Sequence, residues 1–433
     1  MASPDKLSGA QQLAPDIHAP LTERLFDSRM VSLELAAPLS DEDQVVQAMD
    51  DASPTKWHLA HTTWFYEAFI LKSHLQGYQE FSERFEYCFN SYYETKGDRH
   101  PRASRGLLTR PSAQEVRDYR AHVDEALARL MSSDAGQSDD VSTLIELGIN
   151  HEQQHQELLL TDILSLFALQ PLRPAYVNSG LRSISNAAVA NPAFLEFKGG
   201  IHEVGHDGTG FSYDNEGPRH EVLLRDFKLA QRLVTNREYL EFIEAGSYDD
   251  PLAWLADGWA TVKQCGWRAP EYWEQRDGTW YQMTLNGLLP VEPYAPVSHV
   301  SYYEADAFAR WAGKRLPSEF EWEVAARDVE ISGNTMGSHA FRPLPVSEHS
   351  SSGLQQMFGD VWEWTGSSYL PYPGYRPPAG AVGEYNGKFM CSQHVLRGAS
   401  CATADGHSRR TYRNFFYPGQ RWQFMGFRLA EDV

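Results

Sequence analysis

Apolar side chains recur at intervals of three and four residues through the first part of the chain, up to about residue 170. That is the period of one helix face. Trp57, His61, Trp64, Phe65 and Phe69 form such a stripe behind Ser53-Pro54. Val116, Tyr119, Val123, Ala126 and Leu130 form another behind Pro111-Ser112, and Ser142 to Leu169 makes a further helix. Ser40-Asp41-Glu42-Asp43 puts acidic residues where the positive end of a helix favours them, which predicts an earlier helix starting there. Four amphipathic helices joined by loops predict an up-and-down bundle, a fold that builds metal sites from inward-facing side chains.

After Pro171 the helical period fades and Gly, Pro, Trp and Tyr accumulate. Strand-like runs such as Glu221-Val222-Leu223-Leu224 alternate with turn chemistry such as Asp207-Gly208 and Asn215-Glu216-Gly217-Pro218. Two helices are expected here, Thr235 to Ala245, with Thr235 and Glu238 as a capping pair, and Ser301 to Gly313. The fold class is therefore α+β and multidomain, with a helical domain over 20–172, a linker over 173–192 and an α+β domain over 193–433.

A length of 433 residues suits two domains. The balance of 38 basic against 58 acidic residues gives a formal net charge of −20. Such a surface repels phosphate backbones and anionic headgroups, so neither nucleic acid nor membrane is an expected partner. The apolar stretch Leu158 to Leu169 is interrupted by Thr161 and Asp162 and is too short to span a bilayer. No basic segment followed by an apolar one opens the chain, and Cys88, Cys265, Cys391 and Cys401 form no C-x-x-C pair. These features predict a soluble protein of the reducing cytoplasm. Monomer and homo-oligomer are both open.

His151-Glu-Gln-Gln-His155 places two imidazoles one helical turn apart on a face otherwise formed by Leu144, Gly148, Leu158 and Asp162. A lone inward histidine is usually a hydrogen-bonded core residue; two in register point to metal ligands. A third ligand is expected from another helix, and His61 shares its stripe with Trp57, Trp64 and Phe65, with His58 as a supporting residue. Three imidazoles suit zinc, copper, iron or nickel and leave coordination positions open. The count also matches H-E-x-x-H, in which Glu152 would be the general base of a zinc protease; the long apolar continuation of the helix argues against it. Tyr92 and Tyr93 in Asn90-Ser-Tyr-Tyr93 offer phenols to the same cavity. Arg99, His100, Arg102, Arg105 and Arg110 form a basic cluster fitted to a carboxylate, unless they only balance local acids.

Trp57-His-Leu-Ala-His61-Thr-Thr-Trp64-Phe and His151-Glu-Gln-Gln-His155-Gln-Glu157 resemble a DinB-type metal-binding bundle. The later motifs resemble the formylglycine-generating-enzyme fold, related to C-type lectins. They include Asp214-Asn-Glu216-x-Pro-x-His220, Arg315-Leu-Pro-Ser-Glu-x-Glu-Trp322-Glu, Gly359-Asp-Val-Trp-Glu-Trp364-Thr, Arg397-Gly-Ala-Ser400 and Gly426-Phe-Arg428. In this order the two sets resemble the ergothioneine-biosynthesis sulfoxide synthases. The resemblance implies an iron(II) enzyme that joins a thiol sulfur to the imidazole Cε1 of hercynine with O2, oxidising that sulfur to a sulfoxide.

Carried over residue by residue, the resemblance implies His61, His151 and His155 as iron ligands. It implies Gln154 and Asn414 as holders of hercynine, with Phe415 and Phe416 near its trimethylammonium. Relatives that take γ-glutamylcysteine carry an acid after the Asn-aromatic pair, whereas this chain reads Asn414-Phe415-Phe416-Tyr417-Pro418. The co-substrate is therefore expected to be cysteine, with Arg102, Arg105 or Arg421 on its carboxylate. Tyr92 and Tyr93 resemble the catalytic pair of that branch, while Tyr372 and Tyr375 lie where other members place theirs. The resemblance also suggests calcium at Asp360 and Glu363. Formylglycine-generating enzymes use a cysteine pair that Cys401 lacks, so that oxidase activity is not expected. Two alternatives stand beside this reading: a selenoneine synthase joining hercynine to a selenosugar, and a non-catalytic metal- or ligand-binding module.

Overall fold

A computed structural model describes residues 19–177, 192–346 and 353–433. Most of the expected linker lies outside these. The first domain is built on α1 (Leu21–Ala36), α2 (Thr55–Tyr66), α5 (Ala113–Met131) and α6 (Asp139–Leu169), with the short helices α3 (Lys72–His74) and α4 (Phe85–Phe89) between the second and third. A π-helical segment, Glu67–Leu71, extends α2. Serine starts both long helices: Ser112 and Glu115 form a reciprocal cap on α5, and Ser138 accepts from Val141 N on α6. Leu25, Trp64, Phe65, Val123, Leu127 and Ile145 are buried together between the four helices.

One expectation fails here. The helix expected from Ser40 is a turn, in which Ser40 N donates to Asp43 and Asp43 N donates back to Ser40 Oγ. The fourth bundle helix is α1, which ends before that turn.

The second domain carries four small sheets and four helices among the described residues: α7 (Asn236–Glu244), α8 (Ala256–Cys265), α9 (Tyr302–Trp311) and α10 (Glu319–Ala325). The expected helices appear as α7 and α9, each with a reciprocal cap. In chain order β1 (Phe194–Phe197), β2 (Gly200–Val204), β3 (His220–Leu224) and β4 (Phe227–Ala230) come first, then the meander β5 (Trp273–Arg276), β6 (Thr279–Thr284) and β7 (Gly287–Pro290). β8 (Trp362–Ser368), β9 (His394–Gly398), β10 (Asn414–Phe416) and β11 (Met425–Gly426) form one sheet in the order β10-β9-β8-β11. β12 (Ala430–Asp432) closes the sheet of β1 and β4. The β10 edge of the four-stranded sheet and the loops around it face the bundle. No helix of the described residues is long and apolar enough to cross a membrane.

The domains meet along α6. Glu157 is buried and accepts from Trp362 Nε1, Ser400 Oγ and Thr403 Oγ1 at 2.8, 2.5 and 2.8 Å. Five residues further along, Asp162 accepts from Trp422 Nε1 at 3.0 Å and from Ser53 N at 2.8 Å. Buried carboxylates are tolerated only with such donors, so these contacts fix where the second domain sits.

Candidate metal centre and the cavity beside it

α2 and α6 bring His61, His151 and His155 together. One ring nitrogen of each lies within 4.8 Å of the others, and His61 Nε2 is 3.2 Å from His151 Nε2. Local bonds decide which nitrogens are free on His61 and His155, while His151 Nδ1 is buried with no partner among the described residues. His61 Nδ1 donates to the carbonyl of Phe89 at 2.6 Å, which leaves Nε2 as a lone pair. His58 Nε2 donates to Asp162 Oδ2 at 3.0 Å, so its Nδ1 accepts from His155 Nδ1 at 2.9 Å. His155 Nε2 is then also bare. A carboxylate acting through one imidazole on another is the arrangement that orients metal-binding histidines.

Burial drives all three below the ordinary histidine range, His151 to about 4, and at His61 and His155 the neighbouring imidazoles add to it. Neutral imidazoles with converging lone pairs and no carboxylate among them fit a borderline first-row cation such as zinc or iron(II). Trp57 stacks on His61 with ring centroids 4.6 Å apart, which holds the ring plane.

Glu152 removes the protease reading. Its carboxylate turns away from the histidines into the bundle, where Arg29 and Arg120 pair with it and Ser32 Oγ donates at 2.7 Å. Burial opposes its ionisation, but the two guanidiniums prevail and hold it below the usual carboxylate range. A base so neutralised activates no water.

Next to the cluster lies a cavity of about 170 Å³ between the domains. Gln154, Glu157 and Leu158 of α6 form one wall; Asn414, Phe415 and Phe416 of β10 form the facing one. His155, between Gln154 and Leu158, is the one histidine of the three that is only partly buried. Tyr92, Arg102, Tyr385, Phe389, Tyr412, Arg413 and Trp422 are among the other lining residues. Phe415 stacks on Tyr369 at 4.2 Å, and Phe416 meets Trp422 edge-on at 5.5 Å.

The cavity thus gathers Gln154, Asn414, Phe415, Phe416, Tyr92 and Arg102. It does not gather the other expected residues. Tyr93 is buried in the bundle against Phe69 and Trp64, and burial raises its pKa. Arg105 lies over the Trp57 ring at 3.4 Å and donates to Ser53 Oγ, behind the histidines. Arg421 is held by Glu304 and Glu271 and stacks on Trp267 at 3.9 Å, so its charge is already matched. Tyr372 donates to Glu319 and Tyr375 to Asp214, both away from the cavity. Of the basic cluster, Arg99 pairs with Glu94 at the surface and Arg102 alone reaches the lining, donating to Tyr92 OH at 2.8 Å.

The suggested calcium ligands are also engaged. Glu363 is paired with Arg428 in the core, and Asp360 accepts from Asn334, Gln356 and Leu344 N. A carboxylate saturated by protein donors has little left for a cation.

Sequence reasoning missed Tyr385 and Phe389, which sit in the connection between β8 and β9, where no period marks an inward face. Trp362 lay inside a quoted motif, and only its contact with Glu157 shows its use.

Residues 24–159 match the DinB superfamily, and residues 182–433 match the sulfatase-modifying factor enzyme 1-like domain. The chain is 35% identical over 361 residues to a hercynine oxygenase of Mycolicibacterium smegmatis, covering 77% of this chain and 82% of that one. It is 32% identical to the hercynine oxygenase of Mycolicibacterium thermoresistibile, covering 96% and 95%. The chain belongs to the hercynine oxygenase family of ergothioneine biosynthesis. A formylglycine-generating enzyme of Streptomyces coelicolor is 29% identical, covering 52% of this chain and 84% of that one. Cys401 is buried as a free thiol. Both the two-domain architecture and the place in ergothioneine biosynthesis stand as the sequence led us to expect.

Proposed function

We propose that the chain joins cysteine to the imidazole Cε1 of hercynine and oxidises the new thioether to a sulfoxide, with iron(II) on His61, His151 and His155. The observation that supports this most is that Gln154, Glu157 and Leu158, the neighbours of His155 on α6, line a cavity that they share with the aromatic residues of β10 and with Arg102. Iron(II) bound there would supply the one-electron chemistry that O2 requires. The balance closes: the ring C–H, the S–H and a sulfur lone pair give up four electrons to one O2, and one oxygen atom goes to sulfur and the other to water.

The chain's own residues do the rest. Phe415, Phe416 and Trp422 offer ring faces to a trimethylammonium, which binds to π-systems when desolvated. Asn414 and Gln154 supply amide groups for the imidazole and carboxylate of hercynine. Arg102 is placed for the carboxylate of cysteine, and its bond to Tyr92 puts a phenol beside that end of the cavity, where it can deliver a proton. Of the two acids in the described lining, Glu157 is consumed by three donors, and Asp51 accepts from the Gln420 amide. This chemistry belongs in the cytoplasm, where cysteine is reduced.

The test offers hercynine with cysteine, γ-glutamylcysteine or a selenosugar to iron(II)-loaded protein in air and weighs the products. Hercynylcysteine sulfoxide from cysteine is expected. A product from the selenosugar instead would reassign the chain as a selenoneine synthase, and no product from any would leave it a binding module.

A further inference from the structure

Gln154 of the cavity wall belongs to a buried series of hydrogen bonds that runs out of the cavity and returns to its neighbour on α6. Gln154 Nε2 is 2.7 Å from Tyr412 OH, Tyr412 OH is 3.2 Å from His407 Nε2, and His407 Nδ1 is 3.0 Å from Gln153 Oε1. His407 is 1% exposed, Tyr412 4% and Gln153 7%. Tyr412 is wedged between Trp362 at 5.1 Å and the Arg409 guanidinium at 4.9 Å. Gln153 itself borders a different groove, with Phe211 and Arg409.

The direction of every bond follows from its end. An amide oxygen only accepts, so Gln153 Oε1 takes the proton of His407 Nδ1. Burial drives His407 well below the ordinary histidine range, with the nearby Arg409 charge adding to it, so the ring is neutral and Nε2 carries a lone pair. That lone pair takes the Tyr412 O–H. Only lone pairs then remain on the Tyr412 oxygen, and they are satisfied by N–H from Gln154. A flipped Gln154 amide would set its oxygen against those lone pairs. The Gln154 side chain bonds to Tyr412 through Nε2.

We propose that Gln153, His407 and Tyr412 are positioning residues that lock the Gln154 amide with its oxygen toward the cavity, so that the site selects a ligand presenting an N–H there. The ligand class is a neutral imidazole with a ring N–H. That part rests on the function proposed above; the hydrogen-bonded series does not.

Gln153→Met removes the terminal acceptor without touching the cavity, and Tyr412→Phe removes the middle link. Hercynine is titrated anaerobically into iron(II)-loaded protein without thiol. Each variant should weaken binding about tenfold, the scale of one hydrogen bond. The double variant should also lose about tenfold rather than a hundredfold, because links in series are lost once, and ferrous loading should not change. A purely structural role would weaken loading and affinity together. In zinc-loaded protein, 15N spectra should show the His407 proton on Nδ1. Wild-type affinity in Gln153→Met, additive losses, or a proton on Nε2 overturns the proposal. If the wild type takes no hercynine, the function above fails, and the His407 spectrum still decides the series.

Discussion

Glu152 and Glu157 lie on different sides of α6, and each carboxylate is accommodated in a buried place by different partners. Glu152 is met by two guanidiniums, Glu157 by an indole N–H and two hydroxyls. Removing one partner of a buried ion pair leaves the other uncompensated, so Glu152→Gln should cost about 3 kcal/mol of unfolding free energy in urea. Ligand geometry at His61 should survive, because no bond of Glu152 reaches the histidines. A second expectation concerns His299, whose pKa burial lowers to about 3 from 6.5. The unfolded chain takes up that proton near pH 6.5 and the folded one does not. Stability is therefore full above that pH and declines as pH falls towards 3, by roughly 2 kcal/mol at pH 5 for this one group. Urea midpoints at pH 7 and pH 5 should differ less in His299→Phe than in the wild type. At this scale the sequence was legible where chemistry repeats at helical spacing, as at His151 and His155. It was silent where a charge is matched in space, as at Arg421, whose partners Glu271 and Glu304 are far away along the chain.

Elements were legible in proportion to how apolar their buried face is. α2, α5 and α6 bury Trp, Phe, Val and Leu and show a clear stripe. α1 buries Ser28, Arg29 and Ser32 against Glu152, Asp124 and Gln156, beside Leu25, Val31, Leu35 and Ala36, so its inward face is mixed and gives a weaker signal. The Ser40–Asp43 pair carries the bonding of a helix start but is followed by no apolar stripe, and tertiary packing makes it a turn. Gly148 on α6 shows the same dependence on neighbours. A Cβ there would lie 2.5 Å from the ring of fully buried Tyr66. Alanine gains about 1 kcal/mol of helix propensity, but a clash against a ring that cannot yield costs about 1–3 kcal/mol. The clash should win. Gly148→Ala is expected to lower the urea midpoint; a rise would mean that Tyr66 can move.

At the scale of the whole molecule, the domains are joined by the same helix that carries two of the candidate ligands. Glu157 and Asp162 dock the second domain, while His151 and His155 face the bundle, so the cavity exists only when both halves are in place. Glu157→Ala would strand three buried donors at that contact and should cost about 3 kcal/mol, read as a lower melting temperature. It should also weaken hercynine binding while leaving the histidine cluster intact. The sequence showed two domains and their order; how they share a cavity depends on contacts between residues some 240 positions apart, such as Glu157 and Ser400, which no local pattern encodes. Ferrous stoichiometry tests the centre of this account most directly. Anaerobic iron(II) titration should give one ion per chain in the wild type and none in His61→Asn, His151→Asn or His155→Asn, each with an unchanged circular dichroism spectrum. Full iron loading in any of those variants would contradict the three-histidine site.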